Sequence, residues 1–128
     1  MAKTILVAED SLMLRKVACF PLEKQGYKVL EANNGIEAIE AMSKNEVDII
    51  ITDLNMPGMD GFELISQVKE NEKFKHIPII ILTTEGKKDM VMKGLTLGAN
   101  AFLQKPIKPD VMLKEVERLL SKSTGKGV

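Results

Sequence analysis

The sequence predicts an α/β fold, a single five-stranded parallel sheet with helices on both faces. Three observations lead there. Five apolar runs of strand length recur along the chain, separated by amphipathic stretches of helical length. The first, third and fourth runs are nearly continuous in Val, Ile and Leu, as strands covered on both faces are. The 128 residues, 45% of them hydrophobic, suffice for one domain with one core.

The first run is "TILVA", Thr4–Ala8. The helix after it, "SLMLRKVACFPLEKQ", contains Pro21, which removes one backbone bond and crowds the carbonyl of Val17, so a kink or break is expected near Phe20. Gly26 then turns the chain into the second run, Lys28–Ala32. Asn33-Asn34-Gly35 opens a second helix, "GIEAIEAMSKN", with Ile36, Ile39 and Met42 near one stripe. The third run, Val47–Thr52, stops at Asp53. Beyond it Pro57-Gly58 suits a type II turn with Gly58 at positive φ, and Gly61 lets the next helix begin close by. That helix, "FELISQVKENE", places Leu64, Ile65 and Val68 on one stripe. The fourth run, Ile77–Thr83, leads to "KKDMVMKGLTLG" with Gly98 at its end. The fifth, Ala101–Gln104, leads to "PDVMLKEVERLLSK". Five strand–helix alternations imply right-handed crossovers. Residues 123–128 read as a frayed tail. With no repeat and no linker, residues 1–128 read as one domain without an output module.

Charge narrows the function classes. Eighteen basic residues balance eighteen acidic ones, so no overall field favours a polyanion, and neither nucleic acid nor membrane is expected as a partner. No stretch approaches about 18 consecutive apolar residues, and no signal peptide opens the chain. The lone Cys19 cannot form an internal disulfide and suits a reducing compartment, so a cytoplasmic monomer is expected. The charge is unevenly spread. Residues 84–128 carry nine Lys and Arg against five Asp and Glu, a net of +4 that leaves −4 on residues 1–83. Such a basic half suits either a partner-binding face or ordinary solvated helix surface. The sole histidine, His76, cannot belong to a multi-histidine metal site. Met13, Met42, Met90 and Met92 read as packing rather than as a cofactor site.

The chemistry gathers at one edge. In an open parallel sheet, ligands bind beyond the carboxyl ends of the strands. Glu9 and Asp10 follow the first strand and Asp53 the third; Thr83 ends the fourth and Lys105 follows the fifth. Each alone has an ordinary explanation: Asp10 as a helix cap, Asp53 as a turn residue, Thr83 as a strand residue, Lys105 as solvated surface. Their joint placement on one edge is what carries weight. Like charges 4 Å apart repel by about 4 kcal/mol at an effective dielectric near 20, so three adjacent carboxylates need a cation. Lys105 offsets part of that repulsion. A hard divalent ion with oxygen ligands offsets more, and Mg²⁺ takes one or two carboxylates together with waters and a phosphate oxygen.

At these residues the sequence resembles the receiver domains of bacterial response regulators, most closely the stand-alone, CheY-like chemotaxis type. The likeness runs from Lys3 to about Ser121 through "VAEDS", "DLNMPGMDG", "LTTEG" and "FLQKP" in that order. It implies the flavodoxin-like strand order 2-1-3-4-5. It also implies Asp53 as phosphoacceptor, with Glu9, Asp10, Asp53 and the backbone carbonyl of Asn55 holding Mg²⁺. Thr83 would be the switch hydroxyl, Phe102 the switch aromatic and Lys105 the cation on the phosphoryl group. By the same analogy Lys105-Pro106 is a candidate cis peptide. Two positions depart from the type: Glu9 replaces the commoner Asp, lengthening the arm toward the metal, and Phe102 replaces Tyr, removing a ring hydroxyl.

The function implied is that of a single-domain regulator in a two-component system, a signalling protein that catalyses only its own phosphoryl transfer and dephosphorylation. A histidine kinase would be the donor, and the fourth helix, fifth strand and fifth helix would form the face that binds a target. Asn55 and Glu85 lie where water would approach an acyl phosphate, consistent with rapid hydrolysis. A flavodoxin would need a hydroxyl- and Gly-rich loop where "AEDSL" stands, and a dinucleotide enzyme G-x-G-x-x-G. A dehalogenase-like phosphatase would want an acid at position 55. The remaining rival is a phosphorelay intermediate that hands its phosphoryl group to a histidine phosphotransfer protein.

Overall fold

The computed structural model describes residues 2–84 and 88–125, the side chains of 123–125 excepted. Its elements are β1 (Thr4–Ala8), α1 (Leu12–Lys24), β2 (Lys28–Ala32), α2 (Gly35–Lys44), β3 (Ile49–Asp53), α3 (Gly61–Glu70), β4 (Ile79–Thr83), α4 (Lys88–Leu97), β5 (Ala101–Gln104) and α5 (Pro109–Gly125). The strands form one sheet in the order β2-β1-β3-β4-β5, every neighbouring pair parallel. This is the α/β, flavodoxin-like order that the resemblance implied.

The strands are continuous in apolar residues because the sheet has two covered faces. Leu6 and Ala8 of β1, Ile50 of β3 and Ile79 and Ile81 of β4 point to one core, closed by Ala38 and Met42 of α2 and Leu64, Ile65 and Val68 of α3. Ile5, Val7, Ile49, Ile51, Ile80 and Leu82 point to the other, closed by Ala18, Cys19 and Leu22 of α1 and Met112, Val116 and Leu119 of α5. Each such Ile or Leu contributes about 1.5–3 kcal/mol on burial. Burial also pushes the Cys19 thiol up to about 11, which keeps it unreactive.

Helix starts are set by short polar caps. Ser11 Oγ accepts from Leu14 N–H, Asn34 Oδ1 from Glu37 N–H and Asp60 Oδ1 from Glu63 N–H. Ser11, not Asp10, therefore caps α1. Gly58 takes φ +73 after Pro57, as the expected turn requires. At Gly61 a Cβ would collide with the Asp53 carbonyl oxygen and lie 2.7 Å from Leu54 Cα, so only glycine lets α3 begin this close to the end of β3.

Several boundaries and faces differ from expectation. β3 begins at Ile49, not Val47, because Asp48 turns aside: its backbone N–H donates to Thr4 O and its Oδ2 accepts from Thr4 N–H. It also ends one residue later, with Asp53 paired to Leu82. β4 begins at Ile79 rather than Ile77, since Pro78 has no N–H to offer a neighbouring strand. Pro21 does not break α1. It lies in the last turn, the carbonyl it deprives belongs to exposed Val17 where water replaces the bond, and buried Cys19 and Leu22 hold the helix on either side. Ile36 leaves its expected stripe and is 53% exposed. α2 packs instead through Gly35, Ala38 and Met42, whose small members allow close approach. α5 continues to Gly125, past the expected start of a tail at Ser123, while residues 126–128 lie outside those described.

Candidate functional site

The parallel sheet brings its carboxyl ends to one rim, and chain separation in sequence disappears there. Asp53, the last residue of β3, points to the same face as Ile49 and Ile51. Its Oδ1 accepts from the N–H of Leu54 at 2.7 Å and of Asn55 at 3.3 Å, which fixes the carboxylate against its own strand end. Glu9, one residue past β1, is buried. Its backbone N–H donates to Ala32 O, and its Oε2 accepts from Ser11 N–H. Asp10 beside it is exposed. One carboxylate oxygen from each of Glu9, Asp10 and Asp53 lies within 4.8 Å of the others.

Lys105 bridges two of the three acids. Its Nζ lies 2.7 Å from Glu9 Oε1 and 3.0 Å from Asp53 Oδ2. Its backbone is anchored too, by Lys105 N–H donating to Thr83 O, and the Lys105-Pro106 peptide is cis. Burial lowers the basicity of the ammonium, but its two carboxylate partners outweigh this and hold its pKa above the ordinary value. Burial also raises the Glu9 carboxyl, with the hydrogen bonds from Lys105 and Ser11 offsetting part of the rise. The Asp53 charge adds to the rise, and three carboxylates set against one ammonium leave the site short of positive charge. Three hard oxygen donors converging on such a point fit a Mg²⁺ ion by donor type and charge.

Thr83 is buried and its Oγ1 donates to Thr84 O, away from the acids. A small recess of about 60 Å³ lies between them, lined by Asp53, Asn55, Thr83, Thr84, Met90 and Lys105. Phe102, 49% exposed, pairs with Ile81 on β4 and so shares the sheet face of Thr83, two residues nearer the strand start. Glu85 lies outside the described residues. A larger hollow, about 1120 Å³, opens at the opposite end of the sheet among Ile39, Lys44, Asp48, Glu72, Phe74 and His76. Its charges are mixed, and among the described residues the acidic cluster able to hold a metal ion is at the other rim.

Sequence reading missed the residues that hold the acids. Ser11 supplies both the α1 cap and a backbone bond to Glu9. Arg15 is buried, with Nη1 donating to the Glu9 carbonyl at 2.7 Å and to Asn33 Oδ1 at 2.8 Å, while Nε donates to Glu31 Oε1 at 2.8 Å. The signal was present: Arg15 occupies the first position of the i, i+3, i+4, i+7 stripe completed by Ala18, Cys19 and Leu22. A charged residue on a core stripe needs a partner inside.

Comparison with known proteins bears on the same residues. A family model described as the response regulator receiver domain matches residues 5–117. The chain is 40% identical over 125 residues to a chemotaxis protein CheY homolog of Campylobacter jejuni, covering 96% of each. It is 41% identical over 118 residues to the chemotaxis protein CheY1 of Helicobacter pylori, covering 91% of this chain and 95% of that one. Among solved structures, the chemotaxis response regulator CheY4 of Vibrio cholerae aligns with a TM-score of 0.86 at 35% identity, over 93% of this chain and 99% of that one.

Proposed function

This chain belongs to the response regulator receiver-domain family, and on that premise we propose that it accepts a phosphoryl group on Asp53 from a histidine kinase. The observation that carries the reading is the convergence of Glu9, Asp10, Asp53 and Lys105 on one point short of positive charge. Glu9, Asp10 and Asp53, with the backbone carbonyl of Asn55, are the groups that would hold Mg²⁺. When bound, the ion supplies charge neutralisation for the oxygens of the transferring phosphoryl group.

The chain's own residues do the rest by position. A carboxylate oxygen of Asp53 attacks phosphorus in line, the P–N bond to the donor imidazole breaks as the P–O bond forms, and the electron pair leaves with the imidazole nitrogen. Lys105 then exchanges a carboxylate partner for a phosphoryl oxygen, which its long arm and intermediate exposure allow. The recess beside Thr83 and Thr84 gives the new oxygens a place. Rotating Thr83 Oγ1 away from the Thr84 carbonyl to donate to a phosphoryl oxygen draws its side chain inward. That opens space on the face it shares with Phe102, which turns from exposed to buried. The altered surface, α4 to β5 to α5, is where a target would bind. The chemotaxis relatives match nearly end to end, which favours this reading over a phosphorelay intermediate.

Acetyl phosphate with Mg²⁺, read by intact mass, tests the assignment. Wild type is expected to gain one phosphoryl group and Asp53→Asn none. Equal labelling of both would place the acceptor elsewhere.

A further inference from the structure

We infer that Arg15 is a positioning residue that sets the Glu9–Asp10 peptide for cation binding; this deepens the preceding proposal and rests on its reading of Glu9 and Asp10 as metal-gathering acids. The Glu9 carbonyl is the oxygen of the peptide bond that joins the two acids. Arg15 Nη1 holds that oxygen at 2.7 Å from a buried position. From the other side, Glu9 N–H is held by Ala32 O, and the carboxylate is held by Ser11 N–H and Lys105. Every polar group of Glu9 thus has a fixed partner, and among the described residues Arg15 supplies the only one on the peptide plane that carries Asp10. The guanidinium is itself fixed: Nε by Glu31, Nη1 additionally by Asn33, and Asn33 in turn by Glu37. Lys16 also binds Glu31 and, together with Arg15, keeps the Glu31 carboxyl below its ordinary range.

A planar fork suits this task where an ammonium does not. Arg15 reaches a carboxylate with one nitrogen and a carbonyl with another, in a geometry its own bonds fix. Lysine would keep the charge near the acids but offers a single point of attachment. A tether that merely fastened α1 to β2 would need the Glu31 contact alone; the second nitrogen, aimed at the acidic loop, is the feature it leaves unexplained.

The test is Mg²⁺ titration of the metal-free full chain, followed by the amide chemical shifts of Glu9, Asp10 and Ser11. Arg15→Lys is expected to raise the dissociation constant about tenfold, in the range typical for residues that orient ligands. Glu31→Ala, at a more exposed position, is expected to raise it to a smaller extent, and it decides the matter if Arg15→Lys folds poorly. Lys16→Ala, which touches Glu31 but not Glu9, is expected to leave the constant as in wild type. In acetyl phosphate labelling, Arg15→Lys shifts the Mg²⁺ concentration for half-maximal rate and leaves the rate at saturating Mg²⁺ near wild type. Wild-type Mg²⁺ affinity in both Arg15→Lys and Glu31→Ala, with stability lost, would reduce Arg15 to a tether and overturn the inference alone. No Mg²⁺ binding by wild type would overturn both this inference and the metal assignment beneath it.

Discussion

Replacing Lys105 with methionine isolates what one ammonium does for the acids. Methionine keeps most of the stem but leaves Glu9, 1% exposed, with only the Ser11 N–H on its carboxylate among the described residues. Breaking a buried pair costs about 3–5 kcal/mol when the remaining charge must stay. Glu9 has another course, which is to take up a proton. From an ordinary value of 4.5, protonation at pH 7 spans about two and a half pH units, or about 3.4 kcal/mol, and at pH 5 only about 0.7 kcal/mol. Those figures cap the Glu9 share of the destabilisation at each pH. The sign follows from linkage. The folded variant has a Glu9 pKa raised further above 4.5, so between those values it holds more proton than the unfolded chain and loses stability as pH rises. Lys105 in the wild type acts elsewhere: its raised pKa gives a contribution present below about 10.5 and lost only as pH passes above the folded value, so it is constant from pH 5 to 7. Urea denaturation of metal-free wild type and Lys105→Met at both pH values is the assay. A loss of up to about 3 kcal/mol at pH 7 and under about 1 kcal/mol at pH 5 is expected. Equal losses at the two pH values would refute the reasoning.

Three further outcomes are expected. Gly61→Ala, by driving a Cβ into the Asp53 carbonyl, should cost about 1–3 kcal/mol in denaturation and slow labelling of Asp53; an unchanged melting temperature would contradict the close approach. Ser11→Ala should cost about 1 kcal/mol through loss of the α1 cap while Mg²⁺ affinity stays as in wild type, because Ser11 serves Glu9 through its backbone. Phe102→Ala should change stability by less than about 0.5 kcal/mol, since the ring is half exposed. A phosphoryl mimic with Mg²⁺ should then shift fewer amides in α4 and α5 than in wild type, and equal shifts in both proteins would remove Phe102 from the switch.

Much of the fold was legible because burial on both faces leaves a direct trace, the unbroken Val and Ile of β1, β3 and β4. The rim residues were legible because a parallel sheet converts "end of strand" into "same edge". Strand order was not written in the periodicity and came from the resemblance. What escaped was set by contacts between remote segments. Lys105 and Glu9 are 96 residues apart, and only their meeting reveals how fully Glu9 is enclosed. Ile36 is apolar, but six residues from Met42 it stands about 120° around the helix from it, and Met59 lies over Gly35 and makes that glycine the inward position. Pro21 has the chemistry of a breaker, but its place in the final turn, beside an exposed carbonyl, removes the penalty. Arg15 was missed for the opposite reason: its stripe was visible, and the partner that makes burial tolerable was not.

The positions of β3 and β5 have a mechanical consequence. Asp53 stands on a strand clamped by a neighbour on either side, while Phe102 stands on the outermost one, bonded along a single margin. The proposed phosphoacceptor is thereby built into an interior girder of the sheet and the proposed switch ring into one of its two borders. Only β4 separates the two strands, so on the proposed reading a disturbance at the rim crosses a single strand to reach that border, and the acids themselves need not shift.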